Sequence, residues 1–250
     1  MAFQTVFKRY ELKYMLTLEQ KEMILQVMSP YMSLDIYGRS TIRNIYFDDD
    51  SYRLIRRSIE RPAYKEKLRV RSYDLATGDS TVFVELKKKF NRVVYKRRLP
   101  LCERDAMRWI AREEIPIEST QISREIDYFI DFYGNLKPKV FLSYEREAYY
   151  ENNGGDFRIT FDENILVRQT DLSLCSPPGG TSILEQGKVL MEIKCSGGLP
   201  LWLVEVLSRE KIYKTSFSKY GTAYETLILP KLYISDSYKD KEIITDGQNI

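Results

Sequence analysis

Histidine is absent from all 250 residues. That removes imidazole general bases, His-ligated zinc and Ser-His triads together. Cysteine is scarce: Cys102, Cys175 and Cys195 form no CxxC pair, so neither a disulfide framework nor a zinc ribbon is available, and a reducing compartment fits. No run approaches the roughly 18 apolar residues that cross a bilayer. Met1 to Lys13 carries charge from Lys8 onward without the apolar core of a signal peptide, so the expectation is a cytoplasmic chain with no transmembrane segment. Neither GxxxxGK(S/T) nor GxGxxG occurs, which excludes a glycine-rich loop at a helix N-terminus as the means of holding phosphate. Any chemistry must run on carboxylates, amines, guanidiniums, hydroxyls and a metal.

The hydrophobic share of 43% and charged share of 30% are those of a soluble globular chain. A net charge of +3 is too small for a nucleic-acid coat protein, yet 39 basic residues can still be gathered in one place. Period-2 alternation rich in Tyr, Val, Phe and Ile predicts strands over 5–16, 40–48, 64–74, 80–89, 92–101, 138–150, 156–168 and 189–196. Thr17 with Gln20 resembles a capping box opening a helix that Pro30 ends. Further helices are predicted over 50–59, 103–112, 121–133, 201–210 and 218–229. Strands grouped with peripheral helices indicate an α+β protein with an antiparallel sheet. The stretch 169–187, with Ser176-Pro177-Pro178-Gly179-Gly180, reads as a long loop. One domain over 1–235 and a polar tail over 236–250 complete the expected organisation.

Charge falls on one face of strand after strand. Arg9, Glu11 and Lys13 alternate with Tyr10, Leu12 and Tyr14; Lys67, Arg69 and Arg71 alternate with Leu68 and Val70. The same holds for Glu85, Lys87 and Lys89, for Lys96 and Arg98, for Tyr144 and Arg146, for Arg158, Thr160 and Asp162, and for Glu192 and Lys194. Any one such face could simply be solvated. Together, cations outnumber the three glutamates and one aspartate roughly three to one, and like charges on neighbouring strands repel. A sheet built this way needs an anion, and curling it would focus the field into a cavity. Lys88, opposite in phase to Lys87 and Lys89, should point away.

The segments Arg9-Tyr10-Glu11-Leu12-Lys13-Tyr14, Tyr46-Phe47-Asp48, Lys67-Leu68-Arg69-Val70-Arg71, Val84-Glu85-Leu86-Lys87, Tyr144-Glu145-Arg146, Arg158-Ile159-Thr160-Phe161-Asp162, Met191-Glu192-Ile193-Lys194 and Ser218-Lys219-Tyr220 stand in an order that resembles the catalytic domain of the vacuolar transporter chaperone (VTC) family. Those are polyphosphate polymerases among the CYTH-like triphosphate tunnel metalloenzymes, and the similarity spans about 5–230. The resemblance implies a closed eight-stranded antiparallel β-barrel with peripheral helices. It implies Lys13, Arg69, Arg71, Lys87, Lys96, Arg146 and Arg158 as tunnel cations gripping phosphates, and Ser218 and Lys219 as phosphate ligands near one mouth. Tyr144 would touch the nucleotide, and Glu192 would ligate Mn2+ or Mg2+, with Glu11 and Glu85 as lesser metal ligands. Arg9 stands where the first glutamate of the wider ExExK signature would be, which favours the polymerase branch. Ser216 stands where some relatives carry a further lysine.

Implied substrates are ATP or another nucleoside triphosphate, polyphosphate, and pyrophosphate or phosphate, with no specific nucleic acid. Two alternatives stay open: a tripolyphosphatase or nucleoside triphosphatase of the same fold, and a non-catalytic module that binds polyphosphate or another polyanion. Phosphoryl transfer suits the inventory, because positioning and charge neutralisation carry most of it.

Overall fold

A computed structural model describes residues 10–91, 93–113 and 117–233. Its elements run β1 (Tyr10–Thr17), α1 (Leu18–Met28), β2 (Met32–Asp48), α2 (Arg53–Ile59), β3 (Tyr64–Tyr73), β4 (Thr81–Phe90), β5 (Val93–Cys102), α3 (Glu103–Ile110), α4 (Gln121–Tyr133), β6 (Lys137–Glu151), β7 (Arg158–Arg168), β8 (Thr181–Ser182), β9 (Lys188–Cys195), α5 (Leu201–Arg209) and α6 (Lys219–Ala223), the last running into a π turn over Tyr224–Ile228. The capping box at Thr17 is present, with Gln20 N donating to Thr17 Oγ1 at 3.1 Å and Thr17 N to Gln20 Oε1 at 3.0 Å. Asp48 and not Asp50 organises α2, because its buried carboxylate accepts from the Leu54 and Ile55 amides.

The strands form one antiparallel sheet in the order β1-β9-β7-β6-β2-β3-β4-β5, with β8 added on β7. This corrects the closed barrel expected from the sequence. Among the described residues no ladder joins β1 to β5, so both are edge strands and the sheet is curled but open. Two elements also differ from expectation. β2 starts at Met32, not 40, because its first residues pair with Tyr149–Glu151 across a register shift; Gly38, at φ +58°, interrupts the alternation there. β8 lies inside the stretch read as loop. Residues 5–9 of the first predicted strand and the tail over 236–250 lie outside the described residues.

Two of the three hydrophobic clusters sit outside the curl. Leu68, Val70, Val84 and Leu86 pack beneath Trp109, Ile126 and Phe129 of α3 and α4. Leu16, Ile159, Phe161 and Met191 pack beneath Ile24 and Met28 of α1 and Leu203 and Val206 of α5. Burying such side chains is worth about 1.5–3 kcal/mol each. The third cluster, Ile42, Tyr46, Val140, Leu142 and Leu190 with Tyr220 and Ala223 of α6, fills one end of the concave face and leaves the rest of that face free to be charged. At one end α6 turns inward, stacking Tyr220 on Tyr46 with ring centroids 4.7 Å apart. Tyr220 also donates to Asp48 at 3.1 Å.

Candidate functional site: a basic concave face

Contacts between strands that are not neighbours show which way the charged side chains point. Lys87 on β4 reaches Glu11 on β1 at 3.4 Å, Arg146 on β6 reaches Glu192 on β9 at 3.5 Å, and Arg71 on β3 donates to the Tyr144 hydroxyl on β6 at 3.0 Å. Alternation along each strand puts these groups on one side, and the curl turns that side inward. Lys88 faces out, 3.8 Å from Glu66.

Two carboxylate-centred clusters organise the cations. In the first, Glu85, 1% exposed, takes Arg69 at 2.6 Å, Lys96 at 2.6 Å and Arg98 at 2.5 Å. Burial works to raise the Glu85 pKa, but Arg69, Arg71 and Lys96 outweigh it and hold the carboxylate well below its usual range. Arg69 also donates to the Tyr46 hydroxyl at 3.0 Å. Burial likewise works to raise the Tyr46 phenol, and Arg69, Arg71 and Lys219 hold it below its ordinary value.

In the second cluster, Arg146 makes a bidentate pair with the fully buried Asp162, both contacts at 2.6 Å. Lys219 bridges Asp162 at 2.5 Å and Glu192 at 3.0 Å, and Lys13 lies 3.4 Å from Glu192 and 3.5 Å from Glu11. Lys219 is placed by the start of α6, where Ser218 Oγ accepts from the Gly221 amide at 3.2 Å. Its amine is raised: burial opposes the charge, but Asp162 and Glu192 prevail. Glu192 is held well below the carboxylate range by Lys219, Lys13 and Arg146 against its burial, and Glu11 at about 2 by Lys87, Lys13 and Lys194 against its own. Tyr144 is 3% exposed, its ring beneath Arg146 at 5.1 Å and Lys219 at 4.6 Å.

Between the clusters lies a cavity of about 140 Å³ lined by Arg71, Lys96, Arg98, Arg146, Arg158 and Lys194, with Asp35 and Tyr37 among the residues at its rim. Arg158 rests on the Tyr150 ring at 4.6 Å, and its Nε is buried without a partner. Away from this cavity, Lys67 donates to Ser218 Oγ at 3.1 Å. Burial first, then Lys65, Lys87, Lys13 and Arg69, push the Lys67 amine down to about 7; burial chiefly pushes Lys194 down to about 8, although Glu11 and Glu192 oppose it.

The structure thus brings Arg71, Lys96, Arg146 and Arg158 to one cavity, with Arg69 and Glu85 beside it. Lys13, Glu192 and Lys219 stand against its second cluster, Glu11 and Lys87 span the open seam, and Ser218 is joined to Lys67. Arg98, Lys194, Lys67, Asp162 and Tyr46 also belong to this face. All but Tyr46 share a face with the expected residues in the alternation pattern, which was the available signal. The pattern does not say that Asp162 neutralises Arg146, because that pairing depends on cross-strand register.

Two solved structures share this α+β architecture, which is similar to the triphosphate tunnel fold. A Bacillus halodurans candidate adenylate cyclase superposes with TM-score 0.51 at 14% identity, over 83% of this chain and 92% of its own. HpAC1 from Hippeastrum, a candidate adenylyl cyclase reported with a dominant triphosphatase activity, gives TM-score 0.51 at 14% identity, over 86% of this chain and 94% of its own. Comparison with curated proteins gives no match. No helix among the described residues is long and apolar enough to cross a membrane. The VTC domain model matches residues 8–228, the same stretch that builds the curled sheet and its basic concavity, and the chain belongs to the VTC domain family.

Proposed function

We propose that this protein is a polyphosphate polymerase that transfers the terminal phosphate of ATP, or another nucleoside triphosphate, onto a growing polyphosphate chain. Family membership and the tunnel-like fold support triphosphate or polyphosphate chemistry in general. The observation that carries the finer reading is the pairing of the concave-face carboxylates: Glu85, Asp162 and Glu192 each contact two or three cations within 2.5–3.5 Å, which makes them weak bases for activating water. Lys67 and Lys194, the concave-face amines brought closest to neutrality, would be recharged by a phosphate placed beside them. Orthophosphate or the end of a polyphosphate chain is already anionic and needs no base.

In this reading Arg71, Lys96, Arg146 and Arg158 hold consecutive phosphates and offset charge on the transferred group, while Arg98 and Arg69 are oriented by Glu85. Among the described residues no group of three or more carboxylates, thiols or imidazoles is assembled for a metal. Glu192 and Glu11, both anionic and both near Lys13, fit a hard cation that takes its remaining ligands from substrate oxygens and water, as Mg2+ and Mn2+ do. Glu85 is held by its three cations at 2.5–2.6 Å, closer than the 3.0–3.5 Å contacts of Glu192, and is the poorer ligand. A bound cation would supply further neutralisation of phosphate charge.

The test is incubation of the purified protein with ATP and Mn2+. Long acid-labile polymer with stoichiometric ADP is expected. Release of orthophosphate without polymer would overturn the polymerase reading in favour of hydrolysis, and tight binding without turnover would reduce the protein to a polyanion-binding module.

A further inference from the structure

The cavity lies where β2 departs from regular pairing. Leu34 pairs with Tyr149 and Arg39 with Glu147, so Asp35, Ile36, Tyr37 and Gly38 stand opposite Ala148 alone. A β-bulge ordinarily inserts one residue and re-aims a side chain. This one is a small loop, turned by Gly38 at φ +58°, and it borders the cavity: Asp35, Tyr37, Gly38 and Ala148 all line it. The apolar cluster beneath α6 fills the other end of the concave face.

The rim carries different chemistry from the interior. Beside the cations are two tyrosines, Tyr37 at 77% exposed and Tyr73 at 46%. Tyr73 is fixed: Arg98 donates to its hydroxyl at 2.7 Å, and Phe83 meets its ring edge-on with centroids 5.6 Å apart. Tyr37 is not. Among the described residues its ring stacks on no other and its hydroxyl has no hydrogen-bond partner, the recorded bond being from its amide to Asp35 Oδ1 at 3.3 Å. Asp35 is the one carboxylate among the described lining residues, and it forms no ion pair with the cavity's cations.

An exposed tyrosine alone needs no explanation. Here its position supplies one. A free aromatic face beside a carboxylate suits a neutral, flat group better than one more phosphate, and the cations that hold phosphates line the same cavity. A nucleoside triphosphate has that division of character within one molecule. We propose that the loop Asp35 to Gly38 receives the nucleobase, which stacks on the Tyr37 ring while the phosphates reach Arg71, Arg146 and Arg158. This rests on the nucleoside triphosphate reading above and makes the donor a nucleotide, not bare tripolyphosphate. Stacking accepts any base, so ATP and GTP fit alike. Tyr144, 3% exposed beneath Arg146 and Lys219, offers little surface to a base.

Calorimetric affinities of the full chain for ATP, GTP and tripolyphosphate, at matched salt, test the base site. Tyr37→Ala should lose about tenfold in affinity for both nucleotides, with its affinity for tripolyphosphate and its melting temperature unchanged. Tyr37→Phe keeps the ring and should bind ATP as the parent does. Tyr128→Ala, at an exposed tyrosine of α4, should change none of the affinities. No loss for the nucleotides in Tyr37→Ala, or an equal loss for tripolyphosphate, would overturn the base site while leaving the cavity reading intact. So would a parent that binds tripolyphosphate but not ATP. Self-association of the parent that Tyr37→Ala abolishes, with ATP affinity unchanged, would overturn it in favour of a contact between copies. A parent that binds none of the three ligands would remove the cavity reading and the base site with it.

Discussion

The concave face has two halves that treat positive charge in opposite ways. Around Glu85 and around Asp162 and Glu192, the cations Arg69, Lys96, Arg98, Arg146, Lys219 and Lys13 each touch a carboxylate within 2.5–3.5 Å. Around Lys67, the neighbours Lys65, Lys87, Lys13 and Arg69 add repulsion, and its closest polar contact is the neutral Ser218 hydroxyl. In the first half the empty protein is already satisfied, and the cations are rigid parts of the fold as much as ligands. In the second the protein stays under electrostatic stress until an anion arrives. A sequence that shows only "Lys or Arg on the inner face" makes the two halves look alike.

The largest expected effect tests the satisfied half. Arg146→Ala strands the fully buried Asp162 and weakens the hold on Glu192, and removing one partner of a buried pair costs about 3–5 kcal/mol. Urea denaturation should show that loss. A variant as stable as the parent would mean that Lys219 alone satisfies Asp162, and the division into halves would fail. Arg158 sharpens the comparison from the other side. It lines the same cavity, but its Nε has no acceptor and its resolved contact is the Tyr150 ring. Arg158→Ala should therefore change stability by only about 1 kcal/mol or less. Its polymer-forming turnover should fall about 10²–10³-fold if it holds the transferred phosphate. A stability loss matching that of Arg146→Ala would mark Arg158 as structural.

Much of this architecture is legible in the amino-acid sequence. The alternation of Lys67, Arg69 and Arg71 with Leu68 and Val70 gives both the strand and its two faces, since a β-strand has no other way to segregate them. The helices Thr17 to Ser29 and 121–133 follow from caps and periodicity. What the sequence does not reveal is long-range. Whether β1 meets β5 depends on curl summed over the whole sheet, and the closed barrel expected from resemblance is open here. That Arg146 is neutralised within the sheet while Lys67 is not cannot be read from the alternation, because Arg146 opposite Asp162 is a matter of register between β6 and β7.

The smallest effect is the most direct probe of the unsatisfied half. The Lys67 amine sits at about 7 in the folded chain against 10.5 for an ordinary lysine. Below pH 7 it is charged in both folded and unfolded states, and the cost of crowding it is present in full. Between pH 7 and 10.5 the unfolded chain binds the proton more tightly, so unfolding takes up protons and stability rises with pH. Lys194, at about 8, adds a contribution of the same sign. Lys67→Met should accordingly be more stable than the parent at pH 7, by about 1 kcal/mol once solvent screening at this partly open position is allowed for, with the advantage fading towards pH 10. Anion binding reverses the stress: a phosphate beside Lys67 raises its pKa again, so binding at pH 8 should take up a proton and affinity should fall from pH 7 to 9. Calorimetry with tripolyphosphate in buffers of different ionisation enthalpy reads that proton directly. If Lys67→Met takes up as many protons as the parent, the stress lies elsewhere on the face, and the contrast between its halves must be redrawn around Lys194.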